Sequence, residues 1–338
     1  VLYDTAEGQI YCVRDAFGIK PFYYYQSEKQ FYFASEIPAL HTLIDKSLTI
    51  DKTKALKYLL RGSCDAGADT WTEEVKALKP GCLLTISLES DLELEYERWW
   101  WPSIEENKNI SFEEASKKVR DLFLKSVRIH MRSDVQIGAA LSGGIDSSAV
   151  VCAMRYLEPD LPIHTFSYIA SDSDINEEVW VDIVNEYVGA IPHKLELNSE
   201  DLINDIDDLI KTQGEPFGST SIYAQYKIFK LAKENGVTVT LEGQGADELL
   251  AGYFGYPEWA AMSYVDNREY LKLFRFLRSW SKLHGLPMRP ILHYIRGSII
   301  VNILEKSRAM RSLKKIYRYI KPKPDSKDFT PTPLSFPA

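Results

Sequence analysis

The sequence predicts an α/β protein: a β-rich N-terminal part, a short polar linker, then a mostly parallel sheet covered by helices, with a helical extension at the C-terminal end. Three observations carry that prediction. Short aromatic and β-branched runs separated by turn residues dominate residues 1–101. From Ser111 onward strand-like runs alternate with helical patterns. Twice in that second part an apolar run breaks off into glycines and restarts as a helix with a carboxylate in its opening turn.

Taken in order, VLYD, QIYCVRD, PFYYYQ and QFYFASEI read as strands, separated by turn signals such as Glu7-Gly8 and Ser27-Glu28. KPGCLLTISLE reads as a further strand pair, and YERWWWP closes the segment, with Trp99, Trp100 and Trp101 read as aromatic packing at a seam. Residues 102–110, polar and turn-rich, are the linker to residues 111–338. Ser111 followed by Glu114 is a capping-box signature. Phe112, Ala115, Val119, Leu122 and Val127 then mark an expected apolar face through about His130. A strand, Val135 to Leu141, precedes a helix over 146–157. PIHTFSYI is the next strand, followed by a helix from about Asn176 to Val188 and the strand-like HKLELN. A helix over 201–212, the loop GEPFGSTS, a helix over 222–234 stopped by Asn235-Gly236, and the strand VTVTLEG complete the alternation.

The first glycine turn is Ser142-Gly143-Gly144, with Asp146-Ser147-Ser148 opening the helix after it. The glycines let backbone approach a ligand. N–H groups at a helix start, with serine hydroxyls beside them, form an anion site suited to phosphate. The Lys and spacing of GxxxxGK[ST] are missing, so this is not the common nucleoside-triphosphate loop. Asp146 repels phosphate unless Mg²⁺ lies between them. The structural alternative is an ordinary turn with Asp146 as N-cap. The second turn, LEGQGADELLAGY, repeats the grammar, with Asp247 and Glu248 opening its helix and capping again the alternative. Both turns follow strand ends, where ligands sit in parallel sheets, so they are expected to share one crevice.

Composition bounds the classes. With 45% hydrophobic and 26% charged residues the chain reads as soluble and globular, and 338 residues suffice for two domains. A net charge of −8 argues against a general nucleic-acid binder. The 268–323 stretch nevertheless carries fifteen Lys or Arg against two Glu. It is read as amphipathic helices with solvated basic faces, because Leu271, Phe274, Leu277 and Trp280 fall on one side. Cys12, Cys64, Cys82 and Cys152 form no CxxC pair, the six histidines lack ligand spacing, and no structural metal is expected. A reducing cytoplasm, no membrane span and no signal peptide are the corresponding expectations. A start at Val1 and the tail PTPLSFPA point to a fragment of a longer protein.

With both turns in view, the sequence resembles the glutamine-dependent asparagine synthase family. The matches are the pyrophosphatase-type loop Ser142-Gly143-Gly144-Ile145-Asp146-Ser147 and the segment Gly243-Gln244-Gly245-Ala246-Asp247-Glu248. Earlier, Val13-Arg14-Asp15-Ala16-Phe17-Gly18-Ile19-Lys20-Pro21 and Phe33-Ala34-Ser35-Glu36 look like the second half of the family's N-terminal glutaminase domain. The resemblance implies a truncated Ntn-type glutaminase sheet over 1–101 and an ATP-pyrophosphatase domain, adenine nucleotide alpha hydrolase-like, over 111–338 and incomplete at its C-terminal end. The implied reaction is adenylation of the aspartate β-carboxylate by ATP, release of pyrophosphate, and displacement of AMP by ammonia from glutamine.

By the same resemblance Leu141, Ser142, Gly143, Gly144, Asp146, Ser147, Tyr168, Glu242 and Gly243 border ATP and its pyrophosphate. Asp146 and Asp247 hold Mg²⁺, and Gln244, Asp247 and Glu248 are the catalytic set. The implied partners are aspartate, glutamine or ammonia, and ATP, with no nucleic acid or membrane and with a homodimer as one expected assembly. Two departures stand out. Gln244 replaces a frequent Glu and cannot act as a base, so either it only orients the substrate or the adenylated acid is not aspartate. The nucleophilic N-terminal Cys of the glutaminase is absent, so the chain as given is not expected to hydrolyse glutamine.

Overall fold

The computed structural model describes residues 1–45, 47–62, 67–88, 92–107, 109–170, 177–253 and 255–283. The chain divides into two compact units, Val1–Glu242 and a second that begins at Gly243. The first unit begins with β1 (Leu2–Asp4), β2 (Gln9–Val13), β3 (Tyr23–Gln26), β4 (Phe31–Ala34), α1 (Ile37–Leu43), α2 (Lys52–Arg61), β5 (Val75–Ala77), β6 (Cys82–Ser87) and β7 (Leu94–Arg98). It continues through α3 (Phe112–His130), β8 (Ile137–Ala140), α4 (Ile145–Leu157), β9 (His164–Ile169), α5 (Glu178–Val188), β10 (Ile191–Glu196), α6 (Ser199–Gln213), α7 (Ser221–Glu234) and β11 (Val239–Leu241). The second unit contributes α8 (Ala246–Leu250), α9 (Gly255–Asp266) and α10 (Tyr270–Leu283).

The N-terminal strands form two antiparallel sheets, ordered β1-β2-β6-β7 and β4-β3-β5. In β6 the period of two buries Cys82, Leu84 and Ile86, which pack with Cys12 and Tyr24. The neighbouring Tyr25 faces the other way, into a cluster with Ile37, Leu40, Ile44 and Val75. KPGCLLTISLE is thus one strand, where a pair was expected. The helices α1 and α2 and the short β5 were not anticipated. Pro38 in the first turn of α1 ends the extended run begun by β4. Asp51 caps α2, accepting from Thr53 N at 2.8 Å and Lys54 N at 2.9 Å, and left-handed Gly62 closes it.

The family-like segment after β2 is a turn held by its own polar groups. Arg14 donates through its guanidinium to the carbonyls of Lys20, Gly18 and Leu78, while the Asp15 carboxylate accepts N–H from Phe17, Ile19 and Lys20. Trp99 donates its Nε1 to Arg14 O at 3.3 Å, Trp100 packs on Phe17, and Arg98 lies over Trp101. Trp100, half-buried, packs in the expected way, but Trp99 and Trp101 are exposed and do not form the expected seam.

Beyond the linker, β10-β9-β8-β11 form an all-parallel sheet. The capping box of α3 is present, with Ser111 accepting from Glu114 N and Glu114 from Ser111 N. Its expected apolar face is not the buried one: Phe112, Val119 and Leu122 are exposed, and only Val127 of that set is buried. The packed stripe is Phe123, Leu124, Val127 and Met131, rotated from the expected one and confined to the C-terminal half. One face of the sheet packs Ile137, Ala139 and Leu141 against Val150, Val151, Met154, Val181 and Val188 of α4 and α5. The other packs Phe166 against Ile228 and Ala232 of α7.

Chain order within this sheet locates a ligand edge. From β8 the crossovers step outward to β9 and β10, and the next connection returns past β8 to pair β11 on its other side. That reversal, between β8 and β11, is the position at which open parallel sheets bind ligands, outside the carboxyl ends of the strands.

In the second unit Ala261, Leu277 and Trp280 form a small core, joined by Leu273 and Phe276. Leu271 and Phe274 of the expected stripe are exposed. Most of the basic 268–323 stretch lies outside the described residues, as do the tail and Asn176. No helix among the described residues is long and apolar enough to cross a membrane.

The central strand tolerates no added volume at Gly138, where a Cβ would stand 2.8 Å from the His164 carbonyl oxygen and 3.0 Å from Phe166. Gly138→Ala is expected to destabilise the first unit by about 1–3 kcal/mol, the usual cost of overpacking. A urea melt with unchanged slope and a lower midpoint would record it; an unchanged midpoint would contradict the close packing of β8 against β9.

Candidate active site

The phosphate-type turn is built by the end of β8 and the start of α4. Leu141 extends the sheet by one more bond, its N–H donating to Phe166 O at 2.9 Å, and its side chain lies in the core. Only its backbone faces the turn's chemistry. Gly143 then takes φ +88°, where a side chain is strained and where space is also missing. A Cβ there would meet Glu177 O at 3.0 Å and the Trp180 Cβ at 3.2 Å, both from the start of α5.

Hydroxyls hold the turn's shape. Ser142 N donates to the Ser147 hydroxyl oxygen at 3.2 Å, and Ser147 in turn donates to Gly144 O at 3.1 Å. The Ser142 and Ser147 oxygens are 3.1 Å apart, and Gly144 N donates to Ser142 Oγ at 3.3 Å. The buried Ser147 hydroxyl is therefore a strut of the turn, and its proton is committed to Gly144. What remains for an anion is the first turn of α4. Its N-cap is Gly144, with no side-chain cap, so the N–H groups of Ile145, Asp146 and Ser147 have no acceptor within the helix. Asp146 is not the N-cap; it sits at the second helical position, half-buried, with its carboxylate in that first turn.

The same sheet edge carries Glu242. β11 pairs β8 in parallel with Leu241 opposite Ala139, so the chain leaves both strands at one edge, through Leu141 and Glu242. Desolvation raises the Glu242 carboxyl above its ordinary range, opposed by hydrogen bonds from Thr240 Oγ1 at 3.3 Å and Gln225 Nε2 at 3.4 Å. Tyr168, near the carboxyl end of β9, exposes 40% of its surface. Glu177, Trp180, Gln225 and Thr240 were not singled out from sequence. A Gln inside an amphipathic helix carries no sequence signal for such a contact.

The chain continues into the second unit, whose own turn starts at Gly243. Gly245 at φ +91° is the N-cap of α8, and Asp247 and Glu248 lie in its first turn. Gln244 is exposed. Tyr253 donates its hydroxyl to Glu248 Oε1 at 2.9 Å, and the Tyr253 and Tyr256 rings stack at 6.1 Å. Gly252 leaves the room that the Asp247 carboxylate fills, since a Cβ there would stand 1.9 Å from Oδ1.

The N–H groups at the start of α4 fit a phosphate. For a metal, no group of three or more His, Cys, Asp or Glu able to hold one occurs among the described residues. The Asp146 carboxylate, in the first turn of α4, fits Mg²⁺ bound with its phosphates, which takes one or two carboxylates and completes its shell with phosphate oxygens and water.

A family model for asparagine synthase matches residues 118–315, and one for a glutamine amidotransferase domain matches residues 1–100. A putative glutamine-hydrolysing asparagine synthetase 2 of Methanocaldococcus jannaschii is 33% identical over 281 residues, covering 82% of this chain and 52% of that protein. The glutamine-hydrolysing asparagine synthetase 1 of Bacillus subtilis is 33% identical over 264 residues, covering 76% of this chain and 40% of that one. The chain thus spans about half or less of the length of these relatives. By the extent of the first match and the identity and coverage of these relatives, the chain belongs to the asparagine synthase family.

Proposed function

We propose that this chain is part of a glutamine-dependent asparagine synthase. ATP adenylates the β-carboxylate of aspartate with release of pyrophosphate, and ammonia drawn from glutamine then displaces AMP to give asparagine. The observation that carries this reading is the uncapped start of α4, placed by a glycine turn at the reversal point of a parallel sheet.

In this reading the first-turn N–H groups of α4 receive the negative charge that develops on the leaving pyrophosphate, in a site fixed before reaction. Ser142, Gly143, Gly144 and Ser147 supply the shape, the last by bracing the turn. The backbone at Leu141, Tyr168, Glu242 and Gly243 borders the adenosine. Asp146 and Asp247 are the proposed Mg²⁺ ligands, and the ion would supply charge neutralisation at the phosphates. Gln244 and Glu248 face the acyl transfer, with Glu248 steadied by Tyr253. Gln244 favours one second reading, a family enzyme that activates another carboxylic acid, because an amide cannot take a proton as a carboxylate does.

The test uses the full-length protein with Mg-ATP, aspartate and ammonium. Pyrophosphate and asparagine are expected in equal amounts; bound ATP with neither product would move the reading to another acid. Ser147→Ala removes the three hydrogen bonds by which its hydroxyl braces the turn, each worth about 1 kcal/mol, so ATP should bind roughly tenfold or more weakly by calorimetry.

Glu242 supplies a pH test. Its folded-state pKa is raised, so its contribution to stability is fully present below the ordinary carboxylate range and is lost as pH rises through the folded value. Glu242→Gln keeps a carbonyl acceptor and removes that charge. The variant should melt higher than wild type at pH 7, with the difference fading as pH falls towards about 4. Thermal midpoints across that range decide it, and a constant difference would show that desolvation of the charge is not the cause.

A further inference from the structure

Three contacts join the N-terminal region to the loop that precedes α7. Gly214, left-handed at φ +72°, closes α6 against Pro38 of α1; a Cβ there would stand 2.8 Å from the proline Cδ. Glu215 Oε1 accepts the backbone N–H of Trp71 at 2.6 Å. Tyr58 of α2 donates its hydroxyl to Phe217 O at 2.7 Å. The groups that reach the loop are themselves braced. Tyr58 meets the Trp71 ring edge-on at 5.2 Å, Asp51 N donates to Trp71 O, and the buried Lys54 donates its ammonium to Asp69 O.

The gripped loop lies at the ligand edge. Gln225, in the second turn of α7, bonds Glu242 just beyond the carboxyl end of β11. The start of α7 and the loop leading into it are therefore at the edge that carries the phosphate turn. None of this chemistry is needed to fold the parallel sheet, whose two faces are packed by α4, α5 and α7.

We propose that Tyr58, Trp71 and Glu215 are positioning residues: the glutaminase-type region holds the 214–220 loop in place for the acceptor acid at the edge of the parallel sheet. The reaction of the one region would then depend on contact with the other, apart from any delivery of ammonia. The acceptor part of this inference rests on the proposed function; the grip on the loop does not.

The experiment compares full-length wild type with Tyr58→Phe, Glu215→Ala and the conservative Glu215→Gln, which keeps an acceptor oxygen for Trp71. Hydrogen exchange over 214–225 is expected to quicken by about tenfold in the first two, the scale of one lost hydrogen bond, and less in Glu215→Gln. With ammonium as nitrogen source, KM for aspartate should rise by about five- to tenfold in the same two variants, while ATP affinity stays within about twofold. Unchanged exchange in both variants overturns the proposal, with or without turnover. Faster exchange with unchanged KM overturns it too, since the loop would then be held without consequence for the acceptor. A wild-type protein that releases no pyrophosphate with aspartate would instead overturn the asparagine reading, and the exchange comparison would then decide the grip by itself.

Discussion

A strand buried on both faces has to end somewhere, and how β8 ends governs the rest of the first unit. Gly138 lets it lie against the His164 carbonyl, and Ala139, which is fully buried, keeps the helices close. At its end the chain turns through Gly143 so tightly that the start of α5 fills the place of a side chain. The turn then needs polar partners for its backbone, and Ser142 and Ser147 supply them. What the turn leaves over is a set of helix-start N–H groups without acceptors in the helix, which favours an anion there. Packing creates the site, and the electrostatics follow from it.

Charge placement follows the same logic with the opposite sign. Asp146 sits in a helix start, where the dipole favours a carboxylate, yet the same N–H groups are the ones a phosphate would use. Two anions at one helix start need a cation to coexist. Glu242 is costly for a different reason, burial, and its two hydrogen bonds only partly offset that cost. A fold selected for stability alone has no use for an uncapped glycine turn and a desolvated carboxylate at the same sheet edge. Local costs of this kind concentrate at sites that bind.

How much of this was legible in the sequence depended on the range of the interaction. Signals carried within about four residues survived: the Ser111 capping box, both glycine turns and the Asn235-Gly236 stop. Signals that depend on what lies opposite did not. The α3 periodicity was real but named a stripe of which Phe112, Val119 and Leu122 stay exposed among the described residues, because which stripe is buried is set by what packs on it. The helices α1 and α2 were missed beside the aromatic strands before them, although KTKALKYLLR is rich in helix formers and follows a capping Asp51. At the site the turn residues were found, while Gln225, Trp180 and Tyr253 were not, since their roles come from partners distant in sequence or from a rotamer.

The family signature itself divides into chemistry and architecture. Among the described residues the side chains of Arg14 and Asp15, in the stretch that made the N-terminal match, bond to backbone groups of their own turn and to Leu78. They specify a shape, and a chain that keeps them keeps the shape whether or not it retains a nucleophile. Ser142, Gly143 and Gly144 specify a shape too, but one that leaves helix-start N–H groups without a side-chain acceptor and open to water or an anion. That asymmetry explains why the two halves support unequal conclusions. The N-terminal half is legible as a scaffold with a gripping corner, and the α/β half as the place where the proposed function puts phosphate. The corner at Tyr58 and Trp71 is the point where scaffold and site meet, so it is there that the dependence of one half on the other becomes measurable.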